Sequence, residues 1–279
     1  MKAVSHGLKR PWLFEAFPRL QERLPWIPLV DAPTPVHRLE RASSQLGKEV
    51  WIKRDDKTSS EYGGSKPRKL EFLLGEALEQ NRKRVVTGGG IGTNHGLATT
   101  IFGRKLGFGV TLGLFDQPVN SHVRSSLLLY YAYGAEMMYM GPMLKAVLRY
   151  YLIEKIRQRH AYLIVPGGSS PLGACGYVDA GLEFATQVQR KEVPLPQMIY
   201  VAVGTCGTMA GLVLGLRLAG LTTRVVGVQV APGLFANPKA LLRLARKALE
   251  MMRRIDRSLP EVQLTLADFP VERGHYGPG

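Results

Sequence analysis

The chain of 279 residues contains only two cysteines, Cys175 and Cys206, and they form no CxxC pair. A disulfide framework or a zinc site is therefore not indicated, and we predict no metal. No apolar run approaches the roughly 20 residues that a membrane-spanning helix needs. The basic start MKAVSHGLKR leads to no apolar signal core. These absences predict a cytoplasmic protein with reduced thiols and no membrane association.

The sequence also lacks a block of Lys and Arg interleaved with aromatic residues, although its net charge is +15. The cations are spread over many segments, which is not the pattern of a nucleic-acid-binding surface. We therefore predict no nucleic-acid partner, and the positive charge indicates attraction for anionic metabolites instead. Hydrophobic residues make up 45% and charged residues 21%, the usual balance of a globular protein.

Short β-rich runs alternate with longer helical patterns along the chain. The candidate strands cover residues 49–53, 84–88, 109–115, 136–140, 162–166, 197–203 and 224–230. The candidate helices lie near residues 67–80, 94–106, 121–133, 142–159, 172–190, 208–219 and 237–257. This alternation predicts an α/β fold with parallel sheets covered by helices on both faces. The proline-rich first 45 residues are expected to form an extended arm around the body.

Four glycine-rich turns stand where predicted helices begin. They are YGGSK (62–66), GGGIGTNHG (88–96), PGGSSPLGACG (166–176) and GTCGTMAG (204–211). No turn ends in GK[ST] and no GxGxxG follows a candidate strand, so neither a nucleoside triphosphate nor a dinucleotide is indicated. A cradle of backbone N–H groups at a helix start then favours a monophosphate, with Thr205 and Thr208 as added donors. Purely structural turns are the alternative explanation.

Three cations, Lys66, Arg68 and Lys69, crowd the start of a predicted helix, where the helix dipole disfavours positive charge. Crowding of this kind lowers the pKa of a lysine, as an imine-forming lysine requires. Ser65 is the predicted helix N-cap, and Pro67 fits the first turn. A solvated basic turn is the alternative, but a lysine nucleophile together with a monophosphate cradle indicates pyridoxal 5'-phosphate.

Four blocks of the sequence resemble a known enzyme family. They are PTPVHRLERASSQLGKEVWIKRDDKTSSEYGGSKPRKLEFLLGEAL, GGGIGTNH, GGSSPLGACGYVDAGLE and VGTCGTMAGLVLG, in that order. The chain is similar, from about residue 33 to its end, to the pyridoxal-phosphate enzymes grouped as 1-aminocyclopropane-1-carboxylate deaminase and D-cysteine desulfhydrase. These have the fold of the tryptophan synthase β-subunit.

The resemblance implies two parallel-sheet, three-layer α/β domains with the cofactor in the cleft between them. The large domain would comprise residues 1–68 plus 167–279, and the small inserted domain residues 69–166. The resemblance also implies a homodimer.

Individual site residues follow from the resemblance as well. Lys66 matches the catalytic lysine that binds the cofactor covalently, and Arg68 and Lys69 are then expected only to support charge at the helix start. Asn94 matches a contact to the 3-oxygen of the cofactor. The substrate-carboxylate loop matches Thr93, Asn94 and His95, and the phosphate loop matches Gly204, Thr205, Cys206, Gly207 and Thr208.

The resemblance predicts a lyase or deaminase acting on a small amino acid. His95 agrees with the desulfhydrase-like form, which converts D-cysteine to pyruvate, sulfide and ammonia, and 1-aminocyclopropane-1-carboxylate deaminase is the alternative. Family members continue beyond the motif that HYGPG (275–279) resembles, with the partner of the pyridine nitrogen and a substrate-side tyrosine. A shortened, non-catalytic protein that keeps the fold is therefore the alternative from another class.

Overall fold

The structure is a computed structural model that describes residues 10–143, 145–146, 160–231, 233 and 236–275. In these ranges the helices are α1 (Trp12–Ala16), α2 (Glu40–Leu46), α3 (Lys66–Glu79), α4 (Asn94–Lys105), α5 (Ser121–Ala132), α6 (Pro171–Gln189), α7 (Gly207–Leu218) and α8 (Pro238–Ile255). The strands are β1 (Val36–Arg38), β2 (Trp51–Lys53), β3 (Arg84–Gly90), β4 (Gly109–Phe115), β5 (Glu136–Gly141), β6 (Tyr162–Leu163), β7 (Met198–Val203), β8 (Arg224–Gln229) and β9 (Val271–Glu272).

Two parallel sheets organise the described part of the chain. The first has the strand order β5-β4-β3-β6 and the second the order β7-β8-β9. The predicted α/β fold with parallel sheets is thus confirmed. The candidate strand at 49–53 departs from that pattern, because β2 pairs antiparallel with β1 in a separate two-stranded ribbon. Gly47, with φ of 59°, ends α2 in the left-handed conformation and helps the chain turn back.

Element bounds agree with the sequence pattern except at strand ends. The predicted strand 162–166 stops at Leu163, because Pro166 opens a short 3-10 helix and cannot donate to a sheet. The predicted helix 142–159 lies mostly outside the described residues. No described helix is both long and apolar enough to span a bilayer. The described residues also contain no group of three or more potential metal ligands.

The N-terminal arm wraps the body as expected, but the prediction that it is extended is wrong for residues 12–22 and 40–46. Helix α1 buries Trp12, Leu13 and Phe14 in the core, so apolar packing outweighs the scattered prolines. Backbone hydrogen bonds tie the arm down at two buried carboxylates. Leu13 N donates to Asp179 Oδ1 (2.8 Å). The amides of residues 29 and 30 donate to Glu71 Oε1 (3.0 and 3.1 Å).

Helices α3, α6 and α7 pack side by side beneath the predicted site. Their backbones approach so closely that a Cβ added at Gly176 of α6 would lie 2.0 Å from the carbonyl oxygen of Arg68. One added at Gly211 of α7 would lie 2.3 Å from that of Ala174. The proposed domain boundary at residues 68 and 69 falls within α3, and the division into two domains stays a prediction.

Candidate functional site

A cavity of about 1620 Å³ opens where β3 and β7 end and α4 and α7 begin. This is the edge of a parallel sheet at which α/β proteins bind ligands. All four glycine-rich turns contribute to its lining. Of the predicted site residues, the lining includes Lys66, Thr93, Asn94, His95, Gly204, Thr205, Cys206 and Thr208. The structure therefore brings the separate sequence blocks together around one space.

Lys66 is the first residue of α3 and is half-buried in the cavity wall. Its Nζ donates a hydrogen bond to Ser65 Oγ (2.8 Å). Burial lowers the pKa of Lys66, so the direction expected from the sequence is confirmed, although the cause is loss of hydration rather than crowding by cations. Ser65 occupies the predicted N-cap position, but its side chain makes no capping hydrogen bond.

Lys69, which the sequence predicts to support charge at the helix start, is buried rather than solvated. The residue is 2% exposed, and its Nζ donates to the carbonyl oxygen of Gly167 (3.2 Å) while lying 5.9 Å from the ring centre of Tyr177. Burial, and then the charge of Lys66, lower the pKa of Lys69 well below its usual value. The ammonium points to the start of α7, because a Cβ added at Gly207 would lie 3.0 Å from Lys69 Nζ.

Residues 204–208, here called the anion turn, start α7 in an unusual conformation. Cys206 has φ of 70°, which is rare for a residue with a side chain and turns the chain abruptly into the helix. Gly207 N donates to Ser169 Oγ (3.1 Å), and Ser169 Oγ donates to Thr205 Oγ1 (2.9 Å). Helix-start amides, two hydroxyls and a buried ammonium form a donor set that suits a phosphate group.

Residues 90–94, here called the second turn, form another part of the cavity lining at the start of α4. Thr93 is the N-cap of α4, and its Oγ1 accepts from Gly96 N (3.3 Å). Asn94 is exposed to the cavity and its Oδ1 accepts from the hydroxyl of Tyr62 (3.1 Å). The turn thus combines the amides of a helix start with a hydroxyl and a carboxamide, which are groups that bind a carboxylate.

His95 lines the cavity but is only 3% exposed. Its Nε2 lies 3.1 Å from Thr87 Oγ1, and its Nδ1 has no hydrogen-bond partner among the described residues. Burial, followed by the charges of Lys66 and Lys69, lowers the pKa of His95 well below its usual value. The imidazole is therefore neutral at physiological pH.

Arg68 differs from both neighbouring lysines. It is 1% exposed and binds two carboxylates, Glu183 (Nη1 to Oε2, 2.8 Å) and Asp55 (Nη2 to Oδ1, 3.1 Å). Burial alone would lower the pKa of the guanidinium, but the charges of Asp55 and Glu183 outweigh it and raise the pKa. Lys53 also contacts Glu183. Arg68 is therefore held in a buried ion-pair network and does not line the cavity.

A lysine of lowered pKa and a helix start whose donors suit a phosphate group lie around one cavity, and both are features of enzymes that hold a phosphorylated carbonyl cofactor on a lysine. The chain belongs to the family described as pyridoxal-phosphate dependent enzyme, which matches residues 27–253. The predicted family, fold class and cofactor are thereby confirmed.

Individual relatives agree with this assignment. A Pyrococcus abyssi protein, whose name gives 1-aminocyclopropane-1-carboxylate deaminase provisionally, is 34% identical over 240 residues, covering 84% of this chain and 71% of its own length. A Serratia proteamaculans protein named D-cysteine desulfhydrase is 36% identical over 228 residues, covering 76% of this chain and 67% of its own length. A solved structure titled as an ACC deaminase homologue superposes with a TM-score of 0.77 and 32% identity, over 94% of this chain and 77% of that one.

Proposed function

We propose that this chain is a pyridoxal-phosphate-dependent lyase that converts D-cysteine to pyruvate, sulfide and ammonia. One observation carries the proposal: the amine of Lys66, the anion turn with Lys69 and the second turn all line or border a single cavity. The relative named D-cysteine desulfhydrase supports the choice of substrate. In the overall reaction the substrate loses its α-proton and its β-thiol, and one water molecule completes the balance.

The residues present fit the cofactor. Lys66 would hold its carbonyl carbon covalently. The anion turn and Lys69 would hold its phosphate, because the buried ammonium of Lys69 has no carboxylate partner among the described residues. Asn94 would contact its ring. When bound, the cofactor supplies an electron sink that stabilises negative charge at the substrate α-carbon.

The remaining chemistry belongs to side chains of this chain. Lys66 would also be the base that accepts the α-proton at Nζ, and burial favours its neutral form by lowering its pKa. The second turn holds the substrate carboxylate with the amides that begin α4 and the hydroxyl of Thr93. His95 stays neutral beneath this turn, where its bond to Thr87 fixes the ring and keeps a second cation away from Lys66.

The alternative substrate is the cyclopropane amino acid, which the relative from Pyrococcus abyssi favours by its name. The reaction would then open the ring and release 2-oxobutanoate and ammonia. Parallel assays of sulfide release from D-cysteine and of 2-oxobutanoate release from 1-aminocyclopropane-1-carboxylate distinguish the two enzymes. If the protein binds the cofactor but releases neither product, the result would support the non-catalytic alternative.

The proposal is tested first by cofactor binding. Purified protein with added pyridoxal phosphate should show a visible absorption band that survives dialysis, and Lys66→Ala should abolish it. Lys57→Ala, at an exposed lysine nine positions earlier, is the matched control and should leave the band unchanged. A band of equal size in Lys66→Ala would overturn the role of this lysine.

We also propose a cytoplasmic homodimer. No disulfide joins Cys175 and Cys206, and both are buried, which suits a reducing compartment. Helix α5 exposes Leu128 and Tyr131 (70% and 77%), and this apolar surface supports self-association. Sedimentation of the cofactor-loaded protein at micromolar concentration should give twice the chain mass of 30.8 kDa.

A further inference from the structure

Tyr62 is the one described residue that donates a hydrogen bond to the side chain of Asn94. It lies in the first glycine-rich turn, four residues before Lys66, whereas Asn94 begins α4. The Tyr62 ring is partly buried against the hydrophobic core, so the hydroxyl is carried on a supported ring. Burial raises the pKa of Tyr62, and the phenol therefore stays protonated and able to donate.

In the structure, the oxygen end of the Asn94 carboxamide makes this bond. The two ends of a carboxamide have similar shapes, but the oxygen only accepts hydrogen bonds and the nitrogen only donates them. Tyr62 occupies Oδ1 at 3.1 Å, and the described residues provide no partner for Nδ2. The NH₂ group is therefore the end left available to a ligand.

The rest of the second turn is held independently of Tyr62. Gly92 N donates to Gln117 Oε1 (3.1 Å), and the carbonyl oxygen of Gly92 lies 3.2 Å from His122 Nε2. Tyr130 donates to the carbonyl oxygen of Thr93 (2.9 Å). These bonds fix the backbone of the turn. The Tyr62 hydroxyl acts instead on a side chain, so its loss should change the orientation of one amide and leave the turn in place.

We propose that Tyr62 is a positioning residue: its hydroxyl holds Asn94 Oδ1 so that Nδ2 donates to the phenolic oxygen of the bound cofactor. This inference rests on the proposed function, because it requires pyridoxal phosphate in the cavity. Without the hydroxyl, the carboxamide can rotate and present its oxygen to an oxygen of the cofactor, which is repulsive. Tyr62 would thus act on the cofactor without touching it.

A double-mutant cycle tests the proposal, with Tyr62→Phe, Asn94→Ala and the double variant. Tyr62→Phe keeps the ring and removes the hydroxyl. Tyr133→Phe is the matched control, since Tyr133 is exposed (42%) and does not line the cavity. Two quantities are measured on each protein: the Kd of pyridoxal phosphate by fluorescence titration, and the pH midpoint of the absorbance change of the bound cofactor.

We expect Tyr62→Phe to weaken cofactor binding about five-fold, the usual effect of one hydrogen bond, and to raise the pH midpoint. The midpoint should rise because the phenolic oxygen loses a donor that stabilises its negative charge. In the Asn94→Ala background, Tyr62→Phe should change neither quantity further, and Tyr133→Phe should match the unmodified protein throughout.

Two results would overturn the proposal while leaving the proposed function intact. The first is a Tyr62→Phe variant with unchanged Kd and midpoint. The second is an equal loss in the Asn94→Ala background, which would show that Tyr62 acts through packing. Failure of the unmodified protein to bind pyridoxal phosphate at Lys66 would overturn both, and it is recognised separately because it appears before any variant is compared.

Discussion

Arg68 and Lys69 are neighbours on one turn of α3, and both side chains are almost wholly buried, at 1% and 2% exposure. Arg68 binds the carboxylates of Glu183 and Asp55, whereas Lys69 has only the carbonyl oxygen of Gly167 and the face of Tyr177. Their pKa shifts are accordingly opposite, raised for the guanidinium and lowered for the ammonium.

The difference separates a charge that the fold neutralises from a charge that it leaves for a ligand. A buried cation needs a counter-charge, because loss of hydration otherwise favours its neutral form. Arg68 has its counter-charges within the chain. Lys69 lies beside the anion turn, where a phosphate would supply the missing negative charge.

The largest expected effect is on folding stability. Arg68→Met should destabilise the protein by about 3 to 5 kcal/mol, because it leaves Glu183 buried with one fewer cation. Lys69→Met should change the stability of the cofactor-free protein far less, since it removes a buried amine that lacks a counter-charge. Urea unfolding of both variants without cofactor measures their free energies of unfolding. Equal losses of stability in the two variants would contradict the proposed difference between Arg68 and Lys69.

Two buried acids, Glu71 and Glu183, also differ in whether they have a counter-charge, and this difference predicts a smaller effect on folding stability. Burial raises the pKa of Glu71 to about 8, whereas Glu183, although also buried, has a lowered pKa because Arg68 and Lys53 outweigh its burial. Since the folded pKa of Glu71 exceeds its ordinary 4.5, its stabilising contribution is complete below pH 4.5 and is lost as the pH rises through about 8.

Glu71→Gln should therefore raise the free energy of unfolding at pH 9 by roughly 1 to 3 kcal/mol and change it little at pH 4. The glutamine oxygen still accepts from the amides of residues 29 and 30. Glu79→Gln, at the exposed end of α3, is the matched control. Equal stability of Glu71→Gln and the unmodified protein across this pH range would contradict the assignment.

The affinity for the cofactor tests whether Lys69, unlike Arg68, is available to a ligand. Lys69→Met should weaken binding of pyridoxal phosphate about ten- to a hundred-fold, as loss of a charge-assisted hydrogen bond to phosphate would. Equilibrium dialysis measures this Kd, and Lys57→Met serves as the surface control. Unchanged affinity in Lys69→Met would mean that this ammonium does not meet the phosphate.

The smallest effect is a pH dependence of anion binding. Lys69 must be protonated to bind an anion, and its pKa in the free protein lies well below the usual 10.5. Affinity for sulfate, whose charge is constant above pH 4, should therefore fall as the pH rises toward 10.5, and the fall should begin well below that value. The slope should flatten in Lys69→Met. A slope of equal size in that variant would assign the dependence to another group.

The folding stability of the cofactor-free protein should depend on pH in the opposite direction to anion binding. Because the folded pKa of Lys69 is depressed, the stability that this lysine contributes in the cofactor-free protein is present above pH 10.5 and is lost as the pH falls through the depressed value.

Much of this site was predictable from local sequence. Glycine-rich turns at helix starts identified the edge of the cavity, and Lys66 stood out beside two glycines. Separating Lys69 from Arg68 was also possible in principle, because residues 66 and 69 lie on one face of a helix and residue 68 does not. The roles themselves depend on Glu183, which is 115 positions from Arg68. No local pattern encodes that distance.

The roles of Ser169 and Tyr62 could not be read from the chain either. Two adjacent serines precede α6, and only the structure separates them: Ser170 caps the helix, whereas Ser169 bonds to the anion turn. Tyr62 donates its hydroxyl to Asn94, which lies 32 positions away in the chain. Both contacts join segments whose relative position is set by packing of the helices.

The close packing of α3, α6 and α7 makes the cavity an outcome of main-chain geometry. Each helix begins at the site, with Lys66, with the Ser170 cap and with the anion turn respectively. Their spacing is limited by glycines, such as Gly211 against Ala174, that lie a helical turn or more away. A methyl group added there would push the two helices apart. Gly211→Ala would therefore change the distances between site residues that lie on different helices, although it replaces none of those residues.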